Sequence, residues 1–340
     1  MSQNASYRLS NTAILSVSTV EAPEVVTSDY LDDLLQPSYD ATGMLRGQIE
    51  RLAGVKERRW FGEDEDYVAG AVEAGRRAIA DARIDPSSIG LVVNASVTRP
   101  YLEPGISSRV HDELGLPRSC TAFDITNACL GVVNSLQVAG TMIDAGQIEY
   151  ALIVASEGAH EMQKNTIDRL NSGTPGKEEV KEAFATMTLG CGAVGLVLGR
   201  ADRHPDGHRI VGGITRAGTE HHELCVGGME GMKTESSKLF VEGISLAIDA
   251  WADANGEWDW SGMDWYVAHQ TSTVHIASLC ERLGLPQEKF PISVDHYGNI
   301  GPVALPFTLG LNQHRMRQGD RVLLMGIGSG LNTSFTEVAW

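Results

Sequence analysis

One plan runs twice along this 340-residue chain. In the first copy, a helical pattern through Ala69–Ala74 and Arg77–Ala80 leads by Asp85-Pro86-Ser87-Ser88-Ile89 to the apolar run Leu91-Val92-Val93-Asn94-Ala95. In the second, Val241–Ile244 and Leu246–Ile248 lead through Asn255-Gly256 and Met263-Asp264 to Trp265-Tyr266-Val267-Ala268. A further echo pairs Tyr150–Ser156 with Arg321–Gly326, and each is followed by another β-like stretch, Ala193–Leu198 and Ser334–Ala339. Strands that are apolar throughout, rather than alternating, belong to sheets covered by helices on both faces. Self-similarity at this scale predicts an α/β protein of two related halves. A chain of this length also exceeds what one core usually holds. The polar stretch Arg200–His208 is the natural boundary, giving halves of 1–200 and 201–340. The charged segment Gln163–Glu182, broken at Ser172-Gly173-Thr174-Pro175-Gly176, interrupts the first half where the second has a short turn, and its place suggests a lid-like insertion near 163–182.

A formal charge of −17 opposes nucleic acid or an anionic membrane surface as the main partner. Met1–Ser10 lacks an apolar core after a basic start, and no run approaches the roughly 18 apolar residues of a membrane span. A cytoplasmic protein without a transmembrane segment is the expectation. Five cysteines, Cys120, Cys129, Cys191, Cys225 and Cys280, are odd in number and form no CxxC, so neither a disulfide framework nor a metal site is indicated.

Three motifs carry chemistry. Cys129 lies between the strand-like Phe123-Asp124-Ile125 and the helix-like Leu130–Leu136. A thiol at a helix N-terminus meets the positive end of the macrodipole, which predicts a lowered pKa and a reactive thiolate. His269 ends the run Trp265–Ala268, at the strand end where α/β sheets gather ligands. Asn299 sits in the turn string Gly298-Asn299-Ile300-Gly301-Pro302, where a neutral amide can join His269 on a substrate carbonyl without repelling the developing anion. A thiol with two neutral hydrogen-bond partners suits acyl thioester chemistry.

Gly326-Ile327-Gly328-Ser329-Gly330 lacks the spacing of a dinucleotide loop. A backbone N–H from it, best that of Ser329, can instead complete an oxyanion hole with the N–H of Cys129. Lys56, Arg58, Arg59 and Trp60 form the one dense basic and aromatic cluster, with phosphates and adenine of coenzyme A as the candidate ligand and ordinary surface charge as the alternative. Glu103, in Tyr101-Leu102-Glu103-Pro104, reads on local evidence as a solvated loop carboxylate.

Taken together, Asp124–Gly131, Tyr101–Pro104, Leu189-Gly190-Cys191-Gly192-Ala193, Gly298–Pro302 and Gly326–Asn332 make the chain, over nearly its whole length, resemble the thiolase superfamily, in particular its ketoacyl synthase III branch. Within that branch it looks most like the OleA group, which joins two fatty acyl-CoA molecules head to head. The resemblance implies a five-layered αβαβα fold and Cys129, His269 and Asn299 as a triad. It also implies a homodimer, or a pairing with a homologous subunit, in which Glu103 reaches into the partner's site as the base. Acyl-CoA is the implied substrate, with no cofactor beyond the coenzyme A it carries, and enzymes of a downstream olefin or β-lactone pathway are further candidate partners. The reaction implied is a non-decarboxylative Claisen condensation through a Cys129 acyl-enzyme, ending in a β-keto acid. The nearest rival is condensation of acyl-CoA with malonyl-carrier protein or malonyl-CoA, which leaves Glu103 idle. A papain-like peptidase orders the same three residue types but fits the flanks of Cys129 poorly. A non-catalytic acyl-carrying subunit is disfavoured by the intact triad.

Overall fold

A computed structural model describes residues 6–62, 65–228 and 230–340, so the first half of the Met1–Ser10 stretch lies outside the described residues. Nine strands define the frame: β1 (Thr12–Glu21), β2 (Ile89–Asn94), β3 (Thr121–Asp124), β4 (Tyr150–Glu157), β5 (Gly192–Arg200), β6 (His208–Ala217), β7 (Trp265–Ala268), β8 (Arg321–Gly328) and β9 (Asn332–Ala339). They lie in the order β7-β8-β9-β6-β1-β5-β4-β2-β3, with the short strand Ser6–Arg8 added on β6. Outward from the centre, β1-β5-β4-β2 and β6-β9-β8-β7 repeat one topology, and β3 extends only the first half. β1 and β6 meet antiparallel through just Ala13–Arg209 and Ile14–His208, so two half-sheets are joined at one corner. Strand β5 ends at Arg200 and β6 begins at His208.

Six helices cover these strands: α1 (Tyr67–Ala82), α2 (Ile106–Glu113), α3 (Gly131–Asp144), α4 (Ser236–Ala254), α5 (Thr273–Leu283) and α6 (Ala304–Asn312). The strand pleat sends alternate side chains to opposite faces, and both faces are apolar. Leu91, Val93, Ile153 and Leu196 of the first half join Val322 and Leu324 of the second in a central core with Val133 and Leu136 of α3 and Leu305 and Phe307 of α6. Val92, Leu152, Val154 and Val197 point the other way, against Val68, Ala71 and Val72 of α1 and Val110 of α2. Leu323 and Met325 pack outward on Ile244 and Ala247 of α4 and Ile276 of α5. The layers are therefore helix, sheet, helix, sheet, helix: the thiolase-like α/β fold. This stacking explains why the strands read as continuous apolar runs, since each is buried on both sides.

The Gln163–Glu182 segment falls in two helices, His160–Ser172 and Lys177–Glu182. Ile167, Leu170 and Val180 enter a separate apolar cluster with Trp60 and Met187, and Gln163 is fully buried. Its inner face is packed core.

Candidate active site

Cys129 occupies a tight turn between β3 and α3. Ala128 is forced to φ +45°, and the N–H of Leu130 closes the turn on the Asn127 carbonyl at 2.9 Å. A left-handed non-glycine residue is uncommon and marks backbone held by its surroundings. Those surroundings are visible in the glycines: a Cβ on Gly131 would lie 2.7 Å from the Ala95 carbonyl oxygen, and one on Gly328 would lie 3.2 Å from the backbone nitrogen of Cys129. The end of β8 thus abuts the N–H of Cys129, and Ser329 follows directly.

β8 also places the histidine. It pairs in parallel with β7, Ala268 beside Met325, and the N–H of His269 donates to the Met325 carbonyl at 2.9 Å. The imidazole is buried, and neither ring nitrogen has a partner among the described residues. Burial, with the nearby His275 adding to it, pushes the imidazole down to about 3. His269 is therefore neutral across the physiological range. A buried donor without a partner costs about 1–3 kcal/mol, which fits a group held ready for a ligand oxygen.

Asn299 is fixed on three sides. Its N–H donates to the Thr188 carbonyl (2.9 Å), its carbonyl accepts from the Gly190 N–H (3.0 Å), and its side-chain Oδ1 accepts from the Gly301 N–H (3.0 Å). With Oδ1 engaged, the amide NH2 is the end left to donate. Gly298 turns the chain at φ +67°, where a Cβ would lie 2.7 Å from the Thr188 oxygen. A Cβ on Gly190 would lie 2.0 Å from the Tyr297 oxygen, so the Leu189–Ala193 turn and the asparagine loop need each other's glycines. Gly190→Ala is expected to lower stability by about 1–3 kcal/mol, the usual cost of forcing atoms into filled space, and to reduce turnover with it. Denaturant titration alongside kcat checks both.

Sequence reasoning missed the residue that ties histidine to asparagine. Gln270 is fully buried, donates to the Ala268 and Pro291 carbonyls at 2.9 and 3.3 Å, and accepts from the N–H groups of Ser293 and Val294 at 2.9 and 3.2 Å. It fastens the end of β7 to the segment entering the Asn299 turn. Its place next to His269 was the only signal available.

Two expectations are corrected. The thiol of Cys129 is not lowered: burial pushes it up to about 12, with Cys225 and Glu157 adding to the rise. Desolvation of the half-buried thiol by the elements packed around it outweighs the helix start, whose influence is typically about 0.3–2 kcal/mol. Arg58 is also misplaced as a coenzyme A ligand. Its guanidinium is fully buried and donates to the Val26 and Met187 carbonyls and the Ser28 hydroxyl. Arg59 is committed to Glu57, to the His296 carbonyl and to the Tyr297 ring, and Trp60 is buried, stacked on His160 and bonded to Gln163. Through Arg59 the cluster reaches the asparagine loop, while Arg58 and Trp60 are tied within the first half. Glu103 lies exposed on the loop before α2 and makes no hydrogen bond or ion pair among the described residues.

Models of the 3-oxoacyl-[acyl-carrier-protein] synthase III family and of its C-terminal region match residues 123–213 and 254–340, the two stretches that carry Cys129 and the His269/Asn299 pair. The chain belongs to that family. This synthase-family chain is 37% identical to the acyl-CoA:acyl-CoA alkyltransferase of Xanthomonas campestris over 97% of its own length and 99% of the relative's. The enzyme of the same name from Shewanella oneidensis is 32% identical, covering 94% and 96%. The β-ketoacyl-[acyl-carrier-protein] synthase III of Staphylococcus saprophyticus is 28% identical, also over 94% and 96%. Among solved structures, cerulenin-bound Xanthomonas OleA superposes at a TM-score of 0.96 with 36% identity and full coverage of both chains. A cysteine-to-serine variant of that OleA, with bound lauric acid and lauroyl-CoA, superposes at 0.95 with 37% identity over 98% and 100%. The synthase-family chain is thus an acyltransferase of the thiolase-type condensing class, similar to OleA. Among its described residues no helix is long and apolar enough to cross a membrane.

Proposed function

We propose that the chain condenses two long-chain fatty acyl-CoA molecules without decarboxylation. Cys129 Sγ attacks the thioester carbon of the first, the N–H groups of Cys129 and Ser329 hold the oxyanion, and the C–S bond to coenzyme A breaks. Because the thiol is protonated at rest, its proton ends on the departing coenzyme A sulfur. Glu103 then removes an α-proton from the second acyl-CoA, whose thioester oxygen is held by His269 and Asn299. A neutral imidazole and a carboxamide donate to that oxygen without changing charge as the enolate forms. The enolate carbon attacks the acyl-enzyme carbonyl, the Cys129 C–S bond breaks, and the proton taken by Glu103 returns the sulfur to a thiol. The product is a 2-alkyl-3-oxoacyl-CoA, and water then releases coenzyme A and the β-keto acid.

The observation that carries this reading is Glu103. It is a carboxylate without a partner among the described residues, on an exposed loop whose neighbours Tyr101 and Leu102 are 37% and 91% exposed, in a chain more similar to the two acyl-CoA:acyl-CoA alkyltransferases than to the ketoacyl synthase of Staphylococcus. Exposed apolar side chains beside an acid suit a loop that inserts into a second copy of the chain, as the base of that copy's site. Mass spectrometry of products from a panel of acyl-CoAs, with and without malonyl-CoA, tests it. A β-keto acid built from two acyl chains in the absence of malonyl-CoA is expected. A product that forms only when malonyl-CoA or a malonyl-carrier protein is supplied overturns it and restores the decarboxylating synthase.

A further inference from the structure

A second carboxylate stands behind the site, and the steps above do not use it. Glu157 ends β4, is 6% exposed, and has no Lys, Arg or His ion pair among the described residues. Its Oε1 accepts from the Val97 N–H at 2.7 Å, and its Oε2 accepts from the Thr98 N–H at 3.0 Å and from the Thr98 hydroxyl. Val97 and Thr98 begin the loop that carries Glu103. The far end of that loop is held by Asp124, which accepts from the N–H groups of Ile106 and Ser107 and pairs with Arg99 at 3.2 Å. Glu157 also faces the asparagine turn: a Cβ on Gly301, the residue that holds Asn299 Oδ1, would lie 3.5 Å from Glu157 Cγ. Its charge is felt at Cys129.

We propose that Glu157 is a positioning residue for condensation, holding the Glu103 loop and the Asn299 turn in one arrangement. The proposal rests on the reading of Glu103 as the base. Three donors converging on a buried carboxylate with no counter-charge make an anchor that works best when ionised, because hydrogen bonds to a charged acceptor are the stronger ones. Burial pushes Glu157 up to about 7, against the pull of its Thr98 and Val97 bonds. The other titratable groups that sense it are Tyr67 at the start of α1, Cys191 just before β5, and Cys129, none of them cationic. As pH rises through about 7 the carboxyl ionises, grips the loop more firmly, and condensation rises. In the same window its negative charge makes the Cys129 thiolate harder to form.

Glu157→Gln separates this role from a merely structural one. The amide keeps one acceptor but turns a donor toward N–H groups, so condensation of two acyl-CoAs is expected to fall roughly tenfold, as for the loss of about one hydrogen bond to a charged group, and to lose its rise near pH 7. The iodoacetamide alkylation profile of Cys129 should move to lower pH, and single-turnover release of coenzyme A from the first acyl-CoA should persist. An unmoved alkylation profile, or a parallel fall in acylation and condensation, overturns the proposal. Glu157→Asp keeps the charge on a shorter stem. Its alkylation profile should stay with the parent while condensation drops, and this result is decisive if the glutamine variant does not fold: an aspartate variant at full condensation rate overturns the proposal equally. Glu103→Ala is run beside them. Full condensation in that variant defeats the reading of the base whatever Glu157 does. Loss of condensation with an unmoved Cys129 profile supports the base, and the Glu157 variants then test the anchor on its own.

Discussion

Cys129→Ala is expected to abolish both coenzyme A release and condensation, with turnover at least roughly 10⁴-fold below the parent, as when the covalent nucleophile of an enzyme is removed. The fold should survive. Alanine keeps the Cβ that the Asn127–Leu130 turn accommodates, and the thiol makes no hydrogen bond among the described residues whose loss would leave a polar group stranded. Stability near neutral pH is therefore expected to stay within about 1 kcal/mol of the parent by denaturant titration. At alkaline pH the two should diverge in a defined direction. Because the folded thiol sits at about 12, above its ordinary 9.0, its contribution to stability is present below pH 9 and is lost as pH rises toward 12. The parent should weaken over that window more steeply than the variant. Loss of activity together with an unfolded chain would instead place Cys129 in the packing rather than the chemistry.

Glu103→Ala is the second large effect. Removing a general base typically lowers the catalysed step by about 10²–10⁴-fold, and here that step is α-deprotonation of the second acyl-CoA alone. The variant should still release one equivalent of coenzyme A per site from the first substrate and then stall, because an unactivated acyl-CoA has no malonyl carboxylate to expel and needs an external base. Its melting temperature should match the parent's, since the side chain is exposed and makes no hydrogen bond or ion pair among the described residues. If Glu103 serves a second copy of the chain, a mixture of Glu103→Ala and Cys129→Ala subunits should regain condensation: some mixed dimers then hold one complete site. Product assays on equal mixtures, compared with each variant alone, read this out.

The fold was largely legible because the repeated unit left a repeated signal. The runs Leu91–Ala95 and Trp265–Ala268 became equivalent strands, β2 and β7, and Tyr150–Ser156 and Arg321–Gly326 fall in β4 and β8. Burial on both faces removes the polar alternation of an ordinary strand, and that absence is itself readable. The turns around Cys129 and Asn299 were legible for a different reason: the glycines at 131, 298 and 328 are required by backbone approaches of 2.7–3.2 Å, so sequence and geometry there constrain each other. Electrostatics was not legible. The helix start beside Cys129 is a local signal, but the burial that overrides it, and the charges of Cys225 and Glu157 that add to the rise, come from elements distant in sequence. Arg58 failed likewise, because its carbonyl partners at Val26 and Met187 lie 32 and 129 residues away and nothing local marks it as buried. Gln270 and Glu157 were overlooked because a single polar residue at the end of an apolar strand looks like any strand terminus until its partners are known.

On the proposed mechanism a thioester forms on Cys129 and waits there for a second substrate, and the Glu103→Ala variant allows that species to be caught. Incubating it with a long-chain acyl-CoA, then measuring intact mass and mapping the adduct by peptide mass spectrometry, should reveal one acyl group per chain on the peptide holding Cys129, removable by hydroxylamine. A chain that stays unmodified, or carries its acyl group on another residue, would rule out Cys129 as the nucleophile.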